Sequence, residues 1–203
     1  MDKLLVLSMR LGFTILLLIA LLSILLGCAQ KPATTPEPTP KPANATPTPT
    51  EVKTKIDVKL EFSQFPTKYT CDGEDISPKI EIYGIRDDVK SLAIIVDDPD
   101  APLGTFNHWI IWNIEPTNII PEGIPKEYEL TSPIKAVQGK NDFGKVGYNG
   151  PCPPPGKPHR YFFKVYALDT FFDLKAGSAK GEVEKAIEGH VIQYGEAVAT
   201  YGR

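Results

Sequence analysis

The chain has 203 residues, 42% hydrophobic and 23% charged, with a formal net charge of −3. A slightly acidic balance with no basic run argues against nucleic acid as a partner. The 20 prolines are many for this length, and their uneven spread divides the chain into three regions.

Residues 1–28 form the first region. Leu11 to Leu26 is apolar apart from Gly12, Thr14 and Ser23, follows Lys3 and Arg10, and runs into Gly27-Cys28. A basic start, an apolar run short for a membrane span and a small residue before a cysteine read as a secretory signal. It is similar to a lipoprotein signal, in which Cys28 becomes the lipidated first residue of the mature chain. Leu26 is larger than the residue usually found two before such a cysteine, so an uncleaved N-terminal membrane anchor stands as a second reading. Either one places the protein at the cell membrane, with the rest of the chain facing outside the cytoplasm.

Residues 29–53 are the second region. Lys31 to Thr50 holds Pro at seven positions and Thr at six, with no apolar side chain larger than alanine. Such a stretch cannot bury enough surface to offset the entropy of ordering, so it reads as a disordered tether, extended at about 3.1 Å per residue. Residues 54–203 remain acidic and are long enough for one domain with its own core.

Within that domain, Lys55 to Phe62 alternates, with Ile56, Val58, Leu60 and Phe62 on one face, which predicts a half-buried first strand. Thr70 to Pro78 is dense in turn formers and acids, and Ile80 to Tyr83 suits a short second strand. Leu92–Val96 and Trp109–Ile114 are branched apolar runs that predict buried strands. Between them, Asp97, Asp98 and Asp100 leave the first and His108 opens the second. Pro116, Pro121 and Pro125 exclude a long helix there, and Ile134 to Val137 suits another short strand. Gln138 to Pro158 carries five glycines and five prolines in twenty-one residues, a length of irregular chain that is usually functional when ordered. His159 to Leu168 predicts an aromatic strand and Gly181 to Ile187 a short helix, while Val191 to Tyr201 fits extended or helical chain equally.

Cys71 and Cys152 are the cysteines of this domain. Outside the cytoplasm they either bridge, closing a loop of about 80 residues worth about 4 kcal/mol, or remain two separate buried thiols.

His108 and His159 each open a strand after a turn-rich loop, with Asp98 at a strand exit. Imidazoles donate to phosphate oxygens, an aspartate orients an imidazole, and a Gly/Pro loop can present free N–H groups as an anion nest. Tyr161, two residues beyond His159 on the same strand face, adds a hydroxyl. Together these groups describe a small anion pocket, in which Asp98 contacts the ligand while Asp97 and Asp100 hold the turn. No nucleophile elbow, His-Glu-x-x-His, Cys-x-x-Cys or phosphate-binding P-loop is present, which argues for binding without catalysis and without a metal or other cofactor.

The segments DDPDAP at 97–102, NHWIIWN at 107–113 and GPCPPPGKPHRY at 150–161 resemble the phosphatidylethanolamine-binding proteins, in particular their prokaryotic Raf kinase inhibitor-like branch. TCDGEDISP at 70–78 and TYGR at 200–203 are also similar. The resemblance implies a mainly β fold, a large antiparallel sheet packed on a smaller one with short helices near the C-terminus. It also implies an anion pocket with Asp98, His108, His159 and Tyr161 in ligand-contacting positions and Gly150, Pro151 and Pro153 along the wall. Phe106 stands where eukaryotic members carry a tryptophan. The expected partner is a small phosphorylated or anionic ligand. A protein partner held at the same pocket, which would make the domain an inhibitor or modulator of an enzyme, is the alternative, and a hydrolase using Asp98 and the histidines is a third.

Overall fold

The computed structural model describes residues 54–203. The secretory leader with Cys28 and the Pro/Thr tether lie outside the described residues.

The strands are β1 (Thr54–Lys55), β2 (Asp57–Lys59), β3 (Ile80–Tyr83), β4 (Ser91–Asp98), β5 (Phe106–Ile114), β6 (Ile119–Ile120), β7 (Glu129–Leu130), β8 (Ala136–Gln138), β9 (His159–Leu168) and β10 (Val191–Tyr201). One helix, α1 (Lys180–Ile187), and a 3-10 turn at Thr67–Tyr69 complete the described elements. The strands build a seven-stranded sheet in the order β1-β10-β9-β4-β5-β8-β7 and a three-stranded sheet in the order β2-β3-β6. The large sheet is mixed rather than wholly antiparallel, because β1 runs parallel to β10.

The branched run of β4 shows no alternation because both of its faces are covered, and all eight of its residues are buried. On one face Leu92, Ile94 and Val96 pack with Trp109, Ile111, Phe163 and Val165 against Ile56, Val58, Ile80 and Ile82 of the small sheet. On the other, Ala93, Ile95, Ile110 and Trp112 meet Val183 and Ile187 of α1. Those two helix residues are four apart and share one side, so each contributes about 1.5–3 kcal/mol on burial. Glu182 accepts the Ala179 N–H at 2.8 Å and closes the start of the helix.

Asp97 ties α1 to the sheet. It lies at the end of β4 on the helix side, 1% exposed, and accepts from Lys164 Nζ at 2.9 Å, Lys180 Nζ at 2.8 Å and Asn107 Nδ2 at 3.1 Å. Burial alone would raise its pKa, but the two lysines and Asn107 outweigh it and hold the carboxyl below its usual range. The expectation that Asp97 holds the turn is therefore corrected. Asp97 is the last inward residue of the helix-facing side of a strand, with its charge matched across layers.

The predicted first strand also divides. Ile56 and Val58 are buried as the alternation requires, but the ladder breaks at Ile56, with β1 joining the large sheet and β2 the small one. Ile56 N–H donates to the Tyr194 carbonyl at 3.1 Å, so the crossing point itself is bonded. Val191–Tyr201, left open between two conformations by its pattern, is β10, and its pairing along β9 settles it as a strand.

Cys71 and Cys152, 81 positions apart in sequence, form a disulfide with Cα atoms 5.4 Å apart. The Cys71 N–H donates to the Pro151 carbonyl at 3.1 Å, so two backbone segments lie side by side. The approach is close enough that a Cβ at Gly150 would fall 2.0 Å from the Tyr69 carbonyl oxygen.

Two outcomes are expected. Replacing both bridged cysteines by serine lowers the unfolding free energy by about 4 kcal/mol in denaturant titrations, the loop-entropy value for this span. A loss below about 1 kcal/mol would show the loop to be held without the bridge. Asp97→Asn costs about 2 kcal/mol at neutral pH, since it strands two lysines. Because the folded carboxyl lies below its ordinary value of 3.8, this contribution is full above about that pH and fades below it. The wild-type and variant stabilities should converge in acid.

Candidate functional site

β4 and β5 pair with Val96 opposite Trp109 and Asp97 opposite Asn107, so one step on β4 spans two on β5 and His108 is the extra residue of a β-bulge. A bulge re-aims a side chain that strict alternation would send to the opposite face. Here it lets Phe106, His108 and Trp109 depart from the period-two pattern of the rest of β5. His159 opens β9 and His108 is the third residue of β5, at the same end of the sheet.

Asp98 and His159 are joined directly, His159 Nδ1 to Asp98 Oδ2 at 2.7 Å, with side chains 11% and 5% exposed. The other oxygen of Asp98 accepts the Asp100 N–H at 2.8 Å, which bends the chain out of β4. Asp98 is thus an acceptor on both oxygens, and His159 donates from Nδ1. Asp100 does hold the turn: its carboxylate takes the Arg160 side chain through Nε and Nη2, both at 2.8 Å, and Arg160 keeps its carboxyl well below the usual range.

His108 Nδ1 lies 2.7 Å from the Asn149 carbonyl oxygen, and the Asn149 N–H returns to the His108 carbonyl at 3.0 Å. A carbonyl only accepts, so the proton of the neutral ring resides on Nδ1. Burial is the largest influence on this ring and lowers its pKa, against smaller opposing effects of the Asn149 carbonyl and Asp98. Among the described residues neither histidine has a protein partner at Nε2. Phe106, His108, Phe143 and Tyr161 stand edge to face, with ring centroids 4.8–5.4 Å apart.

These side chains enclose a cavity of about 200 Å³. Asp98, His108, His159, Tyr161 and Pro153 line it. Phe106, Phe143, Pro102 and Pro154 supply an apolar rim, and Cys152 brings the disulfide to its edge. Gly150 and Pro151 are not in the wall. Gly150 is drawn away by Asp75, whose carboxylate accepts its N–H at 2.6 Å, and Pro151 is engaged through its carbonyl with Cys71. The expected nest of free N–H groups is therefore corrected at this loop, where Asp75 already occupies the Gly150 donor.

Asp75 is the residue that sequence reasoning missed. It adopts φ of +57° and also accepts from Asn149 Nδ2 at 2.7 Å and Lys126 Nζ at 2.6 Å. Burial would raise its carboxyl, but Lys126, the Gly150 N–H and Asn149 prevail and hold it low. Through Asn149 it braces the carbonyl that sets the His108 tautomer. The only signal in the sequence was its place in the acidic TCDGED turn.

The Tyr161 hydroxyl is buried and, among the described residues, has no hydrogen-bond partner. Burial, with the nearby Asp98 charge, pushes its pKa well above the usual value, yet no bond of acceptable geometry joins it to that carboxylate. His190 is elsewhere, exposed and bonded to Asp169 at 2.8 Å. A wider groove of about 540 Å³, lined by Asn113, Glu129, Lys135 and Phe171 among others, contains no imidazole. Among the described residues, no group of three or more His, Cys, Asp or Glu is placed to hold a metal ion.

Comparison with known proteins gives concordant matches. A family model described as phosphatidylethanolamine-binding protein matches residues 55–202. A UPF0098 protein of Pyrococcus horikoshii is 64% identical over 139 residues, 68% of this chain and 70% of that one. Among solved structures, a phosphatidylethanolamine-binding protein homolog of Chlamydia trachomatis superposes with a TM-score of 0.66 at 36% identity, covering 73% of this chain and 98% of its own. YbcL of Escherichia coli, described as a member of the mammalian family of that name, gives 0.68 at 32%, covering 74% and 99%.

The unpartnered hydroxyl generates a test. In the ligand-free protein Tyr161→Phe should raise the unfolding free energy by about 1 kcal/mol, because it removes a buried polar group that nothing satisfies. A drop of similar size would mean that the hydroxyl is bonded in solution.

Proposed function

We propose, for a chain that belongs to the phosphatidylethanolamine-binding protein family, that its folded domain is a non-catalytic binding module for a small phosphorylated or otherwise anionic ligand. One observation carries this: two imidazoles with committed Nδ1 atoms and unengaged Nε2 atoms share a small cavity with an unpartnered tyrosine hydroxyl. Buried polar groups without partners are costly, and a ligand that bonds to them recovers that cost. The cavity suits a head group of a few heavy atoms, with its apolar remainder against Phe106, Phe143 and the prolines.

Binding rather than turnover fits the wall chemistry. Among the described residues no serine or threonine lines the cavity, Cys152 is bridged, and both Asp98 oxygens accept bonds from the protein. The N-terminal leader supports membrane tethering through Cys28 or through an uncleaved anchor, with the domain on the outer side. A disulfide fits that compartment.

A second reading is favoured by the rim. Leu103 is fully exposed next to Pro102 in the chain, and Phe143, which shares the wall with Pro102, is 40% exposed. Apolar residues displayed around a pocket suit a protein partner whose side chain or terminus enters it.

Isothermal titration with inorganic phosphate and phosphoethanolamine tests the proposal. The intact protein should bind at least one, and the His108→Ala, His159→Ala double variant should bind at least about tenfold more weakly. Absence of binding in the unaltered protein would remove the anion-pocket assignment.

A further inference from the structure

Among the described residues no lysine or arginine lines the cavity, while one carboxylate, Asp98, does. The charges nearby are committed elsewhere. Arg160 is held by both oxygens of Asp100, and Lys164 and Lys180 serve Asp97 on the opposite face of the sheet. Around His108 the titratable groups are Asp98, Asp97 and Tyr161, and around His159 they are Asp98, Asp100, the neighbouring Arg160 and, opposite on β10, Tyr201. With Asp97 and Asp100 matched by those lysines and Arg160, Asp98 is the acid that an anion meets in the wall.

The hydrogen-bonding capacity of the wall is mixed. With Nδ1–H given to the Asn149 carbonyl, the neutral His108 ring turns a lone pair outward at Nε2. Burial favours that neutral form. Tyr161 can donate, and His159 donates from Nε2 when its ring is charged. A fully ionised oxyanion would therefore meet one acceptor that it cannot satisfy, beside a carboxylate that repels it. An oxyanion carrying a hydroxyl would donate to the acceptor and place its charged oxygens on the donors.

We infer that this cavity selects oxyanions that bring their own proton, namely phosphate and phosphomonoester monoanions, and rejects fully ionised tetrahedral anions such as sulfate. The inference rests on the anion-binding assignment of the same cavity and adds a rule for choosing among anions. Selection follows from the unpaired-group penalty: a site that must accept a hydrogen bond loses far more on a ligand lacking the donor than it gains in charge.

Three probes of similar size separate the possibilities by titration at constant ionic strength. Inorganic phosphate keeps a proton even as the dianion, sulfate has none, and methyl phosphate, a monoester with no other donor, loses its phosphate proton at about pH 6. Phosphate should bind at least about tenfold more tightly than sulfate near neutrality. Methyl phosphate should weaken by up to about tenfold per pH unit above about pH 6, while phosphate weakens less. In His108→Gln, whose amide can donate as well as accept, the phosphate-to-sulfate ratio should fall toward one. Sulfate within about twofold of phosphate in the unaltered protein, or a ratio untouched by His108→Gln, overturns the selection rule while leaving anion binding intact. Failure of all three probes to bind overturns both.

Discussion

Two neighbouring carboxylates at the end of a strand buried on both faces must each find a partner, and the pleat sends them to different ones. Asp97 turns toward α1 and is neutralised by Lys164 and Lys180; Asp98 turns toward the cavity and meets only His159 and a backbone N–H. The first arrangement is a structural charge match between layers. The second leaves a buried carboxylate whose single side-chain partner is an imidazole, so the cavity inherits its electrostatics from the parity of one strand. A one-residue slip of β4 against β9 would exchange the two roles.

Much of this architecture was legible in the chain. His159 to Leu168 reads as a strand because its inward residues alternate strictly, and the structure gives it the same limits. The pocket set of Asp98, His108, His159 and Tyr161 was found by residue type and by resemblance, and the structure brings all four to one cavity. What could not be read depends on pairing across distance. The bulge at His108 is a property of the β4–β5 register, invisible in β5 alone. The split of the first strand needs both sheets to exist before Ile56 can lie between them. Asp97 looked like a turn residue because its lysines are 67 and 83 positions away. Gly150 was assigned to the wall for its motif, when its missing side chain serves a backbone crossing at Tyr69.

The long Gly/Pro segment shows how irregular chain can be buried without secondary structure. Asn141 acts as a hub, its amide donating to the Asn149 side chain and to the Gly147 and His108 carbonyls, while its oxygen accepts the Phe143 and Lys145 N–H groups. Asp75 braces the same segment from the other side of the fold. Backbone groups that a ladder would have satisfied are satisfied by side chains instead, and loop order becomes a matter of a few amides and carboxylates. Phe143, which lines the cavity, and the Asn149 carbonyl, which bonds His108, are positioned by this network.

The bridge between Cys71 and Cys152 has a mechanical meaning as well. A pull on the N-terminal side of the domain loads β1 first, which is held by a two-residue parallel pairing, and then the short β2. Peeling can advance only to Cys71, where tension passes through the sulfurs to Cys152 at the rim of the cavity. The bond acts as a stop that keeps extension out of the core, and it makes the cavity rim the point to which a load passes once β1 and β2 have given way.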